Sequence, residues 1–523
     1  MVFNMDCFSH VYDCLPEQFN LIDYLFSSIK PNEFNRVAYI TGGSHISYGE
    51  LIQRVKQFSC LLKNLGVEQE SRVVILLSDD INFVYAFLAI IWLGGIAVII
   101  NEAHSDHDIE YVLSDCRANF IVSRNLWHSK FKSEIYDKMY WVLIDEPGFD
   151  QQLARQLLIE RPVLVAREAE AFWVYTSGSM GQPKGVIHLH YNPVVAIQNY
   201  GRDILKLAPD DVIFSAPSMS FSYGLGTSIY FPLFFHASVV ISPNSSPFEH
   251  INIINNHAVT VFFGIPHTYA SIYAIKEILS LQADSLRLCV SAGEQLPIPL
   301  WRKWHDHYGV SICEGIGTTE STHIFISNSV NNTVAGSTGR AVSGYQIRLV
   351  NDNAKEVAAG EPGLLEVSGE GFMQGYWQKL KATQQVLRGQ TMITGDIYRC
   401  DELGNYYFIG RKDSLVKVKG MWLIPAEIEQ VFLQHPLLVE IAVIVKPGII
   451  EDTAEIVAYI QLKEGYKFTR ELRNEIIKLA NSQLPKFKIP RKILALNKLP
   501  RNVTGKIHRK RLADDLSLQK EKL

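Results

Sequence analysis

The run Thr176-Ser-Gly-Ser-Met-Gly-Gln-Pro-Lys-Gly185 gathers hydroxyls, glycines and a lysine into ten consecutive residues. Thr176, Ser177 and Ser179 offer hydroxyl donors, Gly178, Gly181 and Gly185 permit close backbone approach, and Lys184 adds positive charge. Such a loop suits a polyphosphate such as ATP. The GxxxxGK[ST] phosphate loop does not fit, because Pro183 precedes Lys184 and Gly185 follows it. Standing alone, the segment reads equally well as a Gly/Ser turn. Four further segments carry chemistry-bearing side chains: Gly317-Thr-Thr-Glu320, Thr394-Gly-Asp396, Gly410-Arg-Lys-Asp413 and Pro500-Arg-Asn-Val-Thr-Gly-Lys506. Taken singly these are a helix cap with a surface acid, a turn, a surface ion pair and a solvated basic tail. A carboxylate at Asp396 is nevertheless suited to accept hydrogen bonds from both hydroxyls of a ribose.

These groups must be carried by a scaffold, and the hydrophobic pattern says which. Between about residues 37 and 330, short apolar runs (Arg72–Leu77, Ile96–Ile100, Asn119–Val122, Tyr140–Ile144, Phe172–Tyr175) alternate with longer helix-compatible stretches. The rhythm continues through Val212–Ser215, Ser238–Ile241, Val259–Phe263 and Leu286–Ser291, which predicts an α/β fold with two layered parallel sheets. After Gly336 the pattern becomes alternating and Gly-punctuated, as expected for an antiparallel β subdomain over about 336–411. Beyond it come a hairpin over Ser414–Leu423, a helix opened by Pro425 and Ala426, strands at Glu440–Val445 and Glu455–Leu462, and a helix from Thr469. That is enough chain for a small α+β domain.

With 523 residues the chain should hold about two to four structural units. Its 50 basic and 54 acidic residues leave a net charge of −4, which gives no broad electrostatic reason to bind nucleic acid or an anionic membrane. Seven scattered cysteines without a CxxC pair read as reduced intracellular thiols, not as a zinc site or disulfide framework. The N-terminus lacks a basic region followed by an apolar stretch, so a cytoplasmic location is expected. Phe83–Ile100 carries no charge and reaches the ~18 residues at which a membrane span is considered. Gly94-Gly95 divides it into a helical part and a β-branched part, which predicts a buried helix followed by a central strand and no transmembrane segment.

In order and spacing, the five segments resemble the motifs of adenylate-forming enzymes, the AMP-binding superfamily of acyl-CoA synthetases, adenylation domains and luciferases. The resemblance covers essentially the whole chain. It implies a large N-terminal AMP-binding domain over 1–411, a hinge at 412–413 with Asp413 as pivot, and a small mobile C-terminal domain over 414–523. It also implies roles. Thr176, Ser177, Gly178, Ser179, Gly181 and Lys184 would wrap the β and γ phosphates, with Met180 standing where the family commonly has threonine. Glu320 would bind Mg²⁺, with Thr176 as a second metal contact, while Thr318 or Thr319 approaches the α-phosphate. Ile316 would stand beside adenine, where many relatives have an aromatic residue, with Gly315 and Gly317 also binding the nucleotide; Asp396 would hold the ribose, Arg411 would contact ribose or phosphate, and Lys506 would bridge the substrate carboxylate and the α-phosphate. After adenylation, rotation at the hinge would withdraw Lys506 and bring in the 415–422 loop, whose Gly420 keeps a thiol tunnel open.

Such an enzyme converts a carboxylate, a poor electrophile, into acyl-AMP and then transfers the acyl group to a thiol. Phe221-Ser-Tyr-Gly-Leu-Gly226 and the segment Gly315–Ile324 look like those of benzoate and hydroxybenzoate CoA ligases. By that resemblance Tyr223, Ala292, Gly293, His323 and Ile324 would line a compact pocket for a flat aromatic acid, with aliphatic acids as the alternative. Expected cofactors are ATP, Mg²⁺ and coenzyme A, with a carrier-protein thiol as the alternative acceptor. The reading from a different class is a nucleotide-binding protein without turnover.

Overall fold

The structure is a computed structural model that describes residues 11–131, 138–176, 182–243, 246–412, 416–418, 421–447, 454–501 and 506–514. Ser177, Gly178, Ser179, Met180, Gly181, Asp413 and Gly420 lie outside the described residues.

The short β-branched runs form buried parallel strands. In the first sheet Glu170–Thr176, Ile96–Ile100, Arg72–Leu76, Phe120–Ser123 and Tyr140–Leu143 lie side by side in that order, all parallel. Lys184–Leu189 adds antiparallel to Glu170–Thr176, and Gly375–Tyr376 adds antiparallel beyond it. The second sheet is centred on parallel Ile312–Gly317, Leu288–Ala292, Val261–Gly264 and Val212–Ser215, and continues through Ser238–Val240 to Val37–Thr41. Strands buried on both faces read as continuous apolar runs, which is why these were visible in the chain. The antiparallel additions Lys184–Leu189 and Gly375–Tyr376 were not.

Phe83–Ile100 divides as expected. Asp80 accepts from the Asn82 and Phe83 amides to cap a helix over Ile81–Trp92, and the chain then turns at Gly94 (φ +71°) into the Ile96–Ile100 strand. The helix is apolar on every face because both sides are covered by protein. No helix among the described residues is long and apolar enough to cross a membrane.

Antiparallel Tyr345–Val350, Gly363–Gly369, Thr391–Cys400 and Tyr406–Arg411 form a third sheet. Arg340–Ala341 still pairs with the second sheet through Ile324–Ser327, so the antiparallel unit itself opens at Tyr345. Past residue 412, Val416–Val418 pairs with Met421–Leu423, and the helix Pro425–Phe432 follows. Leu438–Pro447, Ala454–Leu462 and Lys492–Ala495 then form a sheet backed by the Thr469-capped helix Arg470–Gln483. Leu423, Ile428, Phe432, Val443, Ile460 and Ile476 belong to an apolar core of this unit, distinct from the core beneath the first two sheets.

Candidate active site

In a parallel sheet the carboxyl ends of the strands open toward one edge, where loops can converge on a ligand. Here Thr176 ends such a strand, Gly293 and Thr318–Glu320 follow two others, and all border one cleft of about 2330 Å³. Asp396 and Arg411 enter it from the third sheet, and Lys506 from the C-terminal unit.

The phosphate-loop candidates that are described sit on a hairpin. Thr176 and Lys184 are direct partners across the antiparallel pair. The Lys184 ammonium lies 4.2 Å from the centre of the Tyr376 ring, and the Tyr376 hydroxyl donates to Glu320 Oε1 at 2.5 Å. One side chain therefore touches both the loop cation and the acid expected to hold a metal. Burial, with the Glu320 carboxylate beside it, raises the Tyr376 hydroxyl above its ordinary range. The Glu320 backbone carbonyl accepts from Met373 N–H at 2.8 Å, which fixes the acid on the same segment.

Thr318 N–H donates to Ser321 Oγ at 2.9 Å and closes a short turn; Ser222 Oγ reaches Thr319 Oγ1 at 3.4 Å. Gly315, Ile316 and Gly317 line the cleft beside them. Asp396 and Arg411 face each other in register across two strands, and Arg411 Nη1 donates to Asp396 Oδ1 at 3.1 Å and to the Thr394 carbonyl at 3.2 Å.

Lys506 comes to these groups along the rim of Glu294. Ile507 N–H donates to Glu294 Oε1 at 3.1 Å, while a Cβ added to Gly293 would lie 3.3 Å from Lys506 Cε. Gly293 also has φ +89°, so a glycine here serves both the turn and the passage of the lysine. Enclosure lowers the Lys506 ammonium below the usual lysine range, against the opposing charges of Glu294, Asp396 and Glu320. Burial raises the Glu294 carboxyl, with Lys506 pulling the other way. A second tie between the units joins His267 Nδ1 to Glu440 Oε1 at 3.1 Å, and Arg501 pairs with the same carboxylate.

The expected acid wall divides. Gly293 borders the cleft together with Phe221, but Tyr223, Ala292, His323 and Ile324 are not among its lining residues. They lie behind it. His323 is 3 % exposed and packs 4.6 Å from Phe231, 5.2 Å from Tyr200 and 5.7 Å from Tyr223, centre to centre. The Tyr223 hydroxyl donates to the Val290 carbonyl at 3.2 Å.

Sequence reasoning missed Tyr376, Glu294, His104 and Glu314, all of which border the cleft. Gly375-Tyr-Trp377 carries no signal by itself, because what matters is its pairing with Val186 and Ile187. Glu314 is buried, accepts from Leu296 N–H at 3.2 Å, and is pushed up to about 8 by burial. The oxygens of Glu320 and Thr176 on one cleft suit Mg²⁺, which uses one or two protein oxygens and takes the rest from phosphate and water. Such an ion would neutralise charge on the phosphates.

The chain matches the AMP-binding enzyme family over residues 27–377 and the AMP-binding enzyme C-terminal domain over residues 427–506. It is 33% identical over 502 residues to a 4-hydroxybenzoate–CoA/benzoate–CoA ligase of Rhodopseudomonas palustris, covering 93% of this chain and 92% of that protein. It is 32% identical to a benzoate–CoA ligase of Thauera aromatica, covering 95% of this chain and 96% of that one. Among solved structures, the anthranilate CoA ligase AuaEII in complex with anthranoyl-AMP superposes with a TM-score of 0.92 at 32% identity, covering 97% of this chain and 99% of that chain.

Proposed function

The chain belongs to the AMP-binding enzyme family, and from that premise we propose that it activates an aromatic carboxylic acid, such as benzoate or a hydroxy- or aminobenzoate. ATP and acid form acyl-AMP and pyrophosphate; the thiol of coenzyme A then displaces AMP to give the acyl-CoA thioester. The observation that carries this reading is the convergence of Lys184, Glu320, Asp396, Arg411 and Lys506, drawn from three sheets and a C-terminal loop, on one cleft.

Each has a role that its position supports. Attack of the carboxylate oxygen on the α-phosphorus gathers negative charge, and Lys506 is the mobile cation that meets it. Lys184 and the loop after Thr176 hold the departing pyrophosphate. Asp396 and Arg411 orient the nucleoside, and Glu320 with Thr176 would hold Mg²⁺. Positioning supplies much of the acceleration, because the reacting groups meet as one bound unit.

With Lys506 inside the cleft, the described arrangement suits the first half-reaction. We assign residues 412–413 as the hinge about which the C-terminal unit, from 414 onward, turns for the second. ATP and coenzyme A as co-substrates fit a cytoplasmic setting.

The test is pyrophosphate release and thioester formation, the latter followed by mass spectrometry, over benzoate, hydroxybenzoates, aminobenzoates and fatty acids. Aromatic acids should lead by at least about tenfold in kcat/KM. A dominant aliphatic substrate would overturn the aromatic assignment, and ATP binding without release over the whole panel would overturn the enzymatic one.

A further inference from the structure

Asp79 follows the Arg72–Leu76 strand of the first sheet and is not among the residues bordering the cleft. Its neighbour Asp80 is committed to the helix it caps and to an ion pair with Arg124. Asp79 instead faces the second sheet, where its Oδ1 accepts from Ser218 Oγ at 2.8 Å and from Met219 N–H at 3.0 Å. The turn so held is closed by Phe221 N–H donating to the Ser218 carbonyl at 3.1 Å, and by Ser220 N–H donating to Ser218 Oγ at 3.2 Å. Gly224 packs against it so tightly that a Cβ would stand 2.1 Å from the Ser218 oxygen. What leaves the turn goes to the site. Phe221 borders the cleft, Ser222 Oγ meets Thr319 Oγ1, and Tyr223 is tied to Val290.

We propose that Asp79 is a positioning residue for acid binding: through Ser218 and Met219 it sets the Phe221–Tyr223 wall, and hence the KM for the acid, without touching acid or nucleotide. The inference rests on the functional reading above, with the acid taken to enter the cleft that Phe221 borders and with Tyr223 supporting that segment through Val290. Burial pushes the Asp79 carboxyl up to about 6, the Ser218 and Met219 donors oppose it, and Asp80 and Glu102 add to the rise. Both donors end on a single oxygen, so the carbonyl of an asparagine can accept both, and its amide can face the neighbouring acids.

The experiment measures acid-dependent pyrophosphate release in wild type, Asp79→Ala, Asp79→Asn and Ser218→Ala, varying acid at saturating ATP and ATP at saturating acid. Asp79→Ala should raise the KM for the acid about tenfold and leave that for ATP within about twofold. Asp79→Asn should return the acid KM to within about threefold of wild type, with Ser218→Ala between the two. An asparagine as impaired as the alanine, equal shifts in both KM values, or an unchanged Asp79→Ala would overturn the proposal. If Asp79→Ala does not fold, Ser218→Ala decides: a rise confined to the acid KM supports it, and no rise overturns it. A wild type that turns over no acid removes the functional reading and this inference with it; an active wild type with unchanged variants removes the inference alone.

Discussion

The Tyr376 hydroxyl donates to Glu320 Oε1 at 2.5 Å while its ring lies 4.2 Å beneath the Lys184 ammonium, so the loop cation and the expected metal ligand share one aromatic support. Tyr376→Phe keeps the ring under Lys184 and removes only the hydrogen bond to Glu320. It should raise the Mg²⁺ concentration for half-maximal adenylation by about three- to tenfold, with little change in ATP affinity. Tyr376→Ala should weaken ATP binding as well, because the ammonium loses its ring. Initial rates against Mg²⁺, together with ATP binding by calorimetry, separate the two; identical behaviour of both variants would remove the shared-support account.

Lys506→Ala should depress acyl-adenylate formation on the order of 10²–10³-fold while leaving thioester formation from supplied acyl-adenylate within about threefold of wild type. The two half-reactions are measured separately, the first by pyrophosphate release and the second by AMP release from synthetic acyl-adenylate. Equal loss in both would defeat the assignment of Lys506 to the first step.

Gly293→Ala places a methyl 3.3 Å from Lys506 Cε on a backbone with φ +89°. Strain of about 1–3 kcal/mol is expected there, and it falls on the lysine's path. Adenylation should drop about tenfold with the second half-reaction little changed. A loss of stability unaccompanied by any difference between the half-reactions would contradict the expected coupling to Lys506.

Glu314 supplies a pH signature. Its folded value of about 8 lies above the ordinary carboxyl value of 4.5, so the folded chain keeps a proton that the unfolded chain gives up. Its contribution to stability is therefore full below pH 4.5 and is lost as pH rises through 8. Relative to Glu314→Gln, which stays neutral and can still accept from Leu296, wild type should lose up to about 1.4 kcal/mol per pH unit across that window. Urea melts at pH 5, 6, 7 and 8 read this directly, and a gap that does not change with pH would contradict a protonated Glu314.

What was legible in the chain, and what was not, follows from the range of the interactions. Ile96–Ile100 and Val212–Ser215 were read at the bounds they occupy, because burial on both faces writes an unbroken apolar run. The helix read from Thr469 begins one residue later, at Arg470, with Thr469 as its cap, a local signal; its side chain accepts from Leu472 N–H three residues on. Lys184, Glu320, Asp396, Arg411 and Lys506 were picked out as a set of motifs, and all border the cleft. Tyr376, Glu294 and Asp79 were not, since their partners lie 56, 213 and 139 residues away and nothing nearby marks them. For His323 the residue type was noticed but not its depth. Its burial is decided by Tyr200 and Phe231, which pack on it from two distant segments.

Lys506 rides on a unit whose apolar core, from Leu423 to Ile493, is separate from the one beneath the two large sheets. Two separate cores need not melt together, and the smaller has less buried surface to resist urea or heat. Mild denaturation should thus leave a chain that still holds nucleotide on its larger part yet has lost the lysine proposed for adenylation. Loss of activity would then precede loss of binding, and an inactivation midpoint would report the endurance of some hundred residues near the end of the chain, not that of the enzyme.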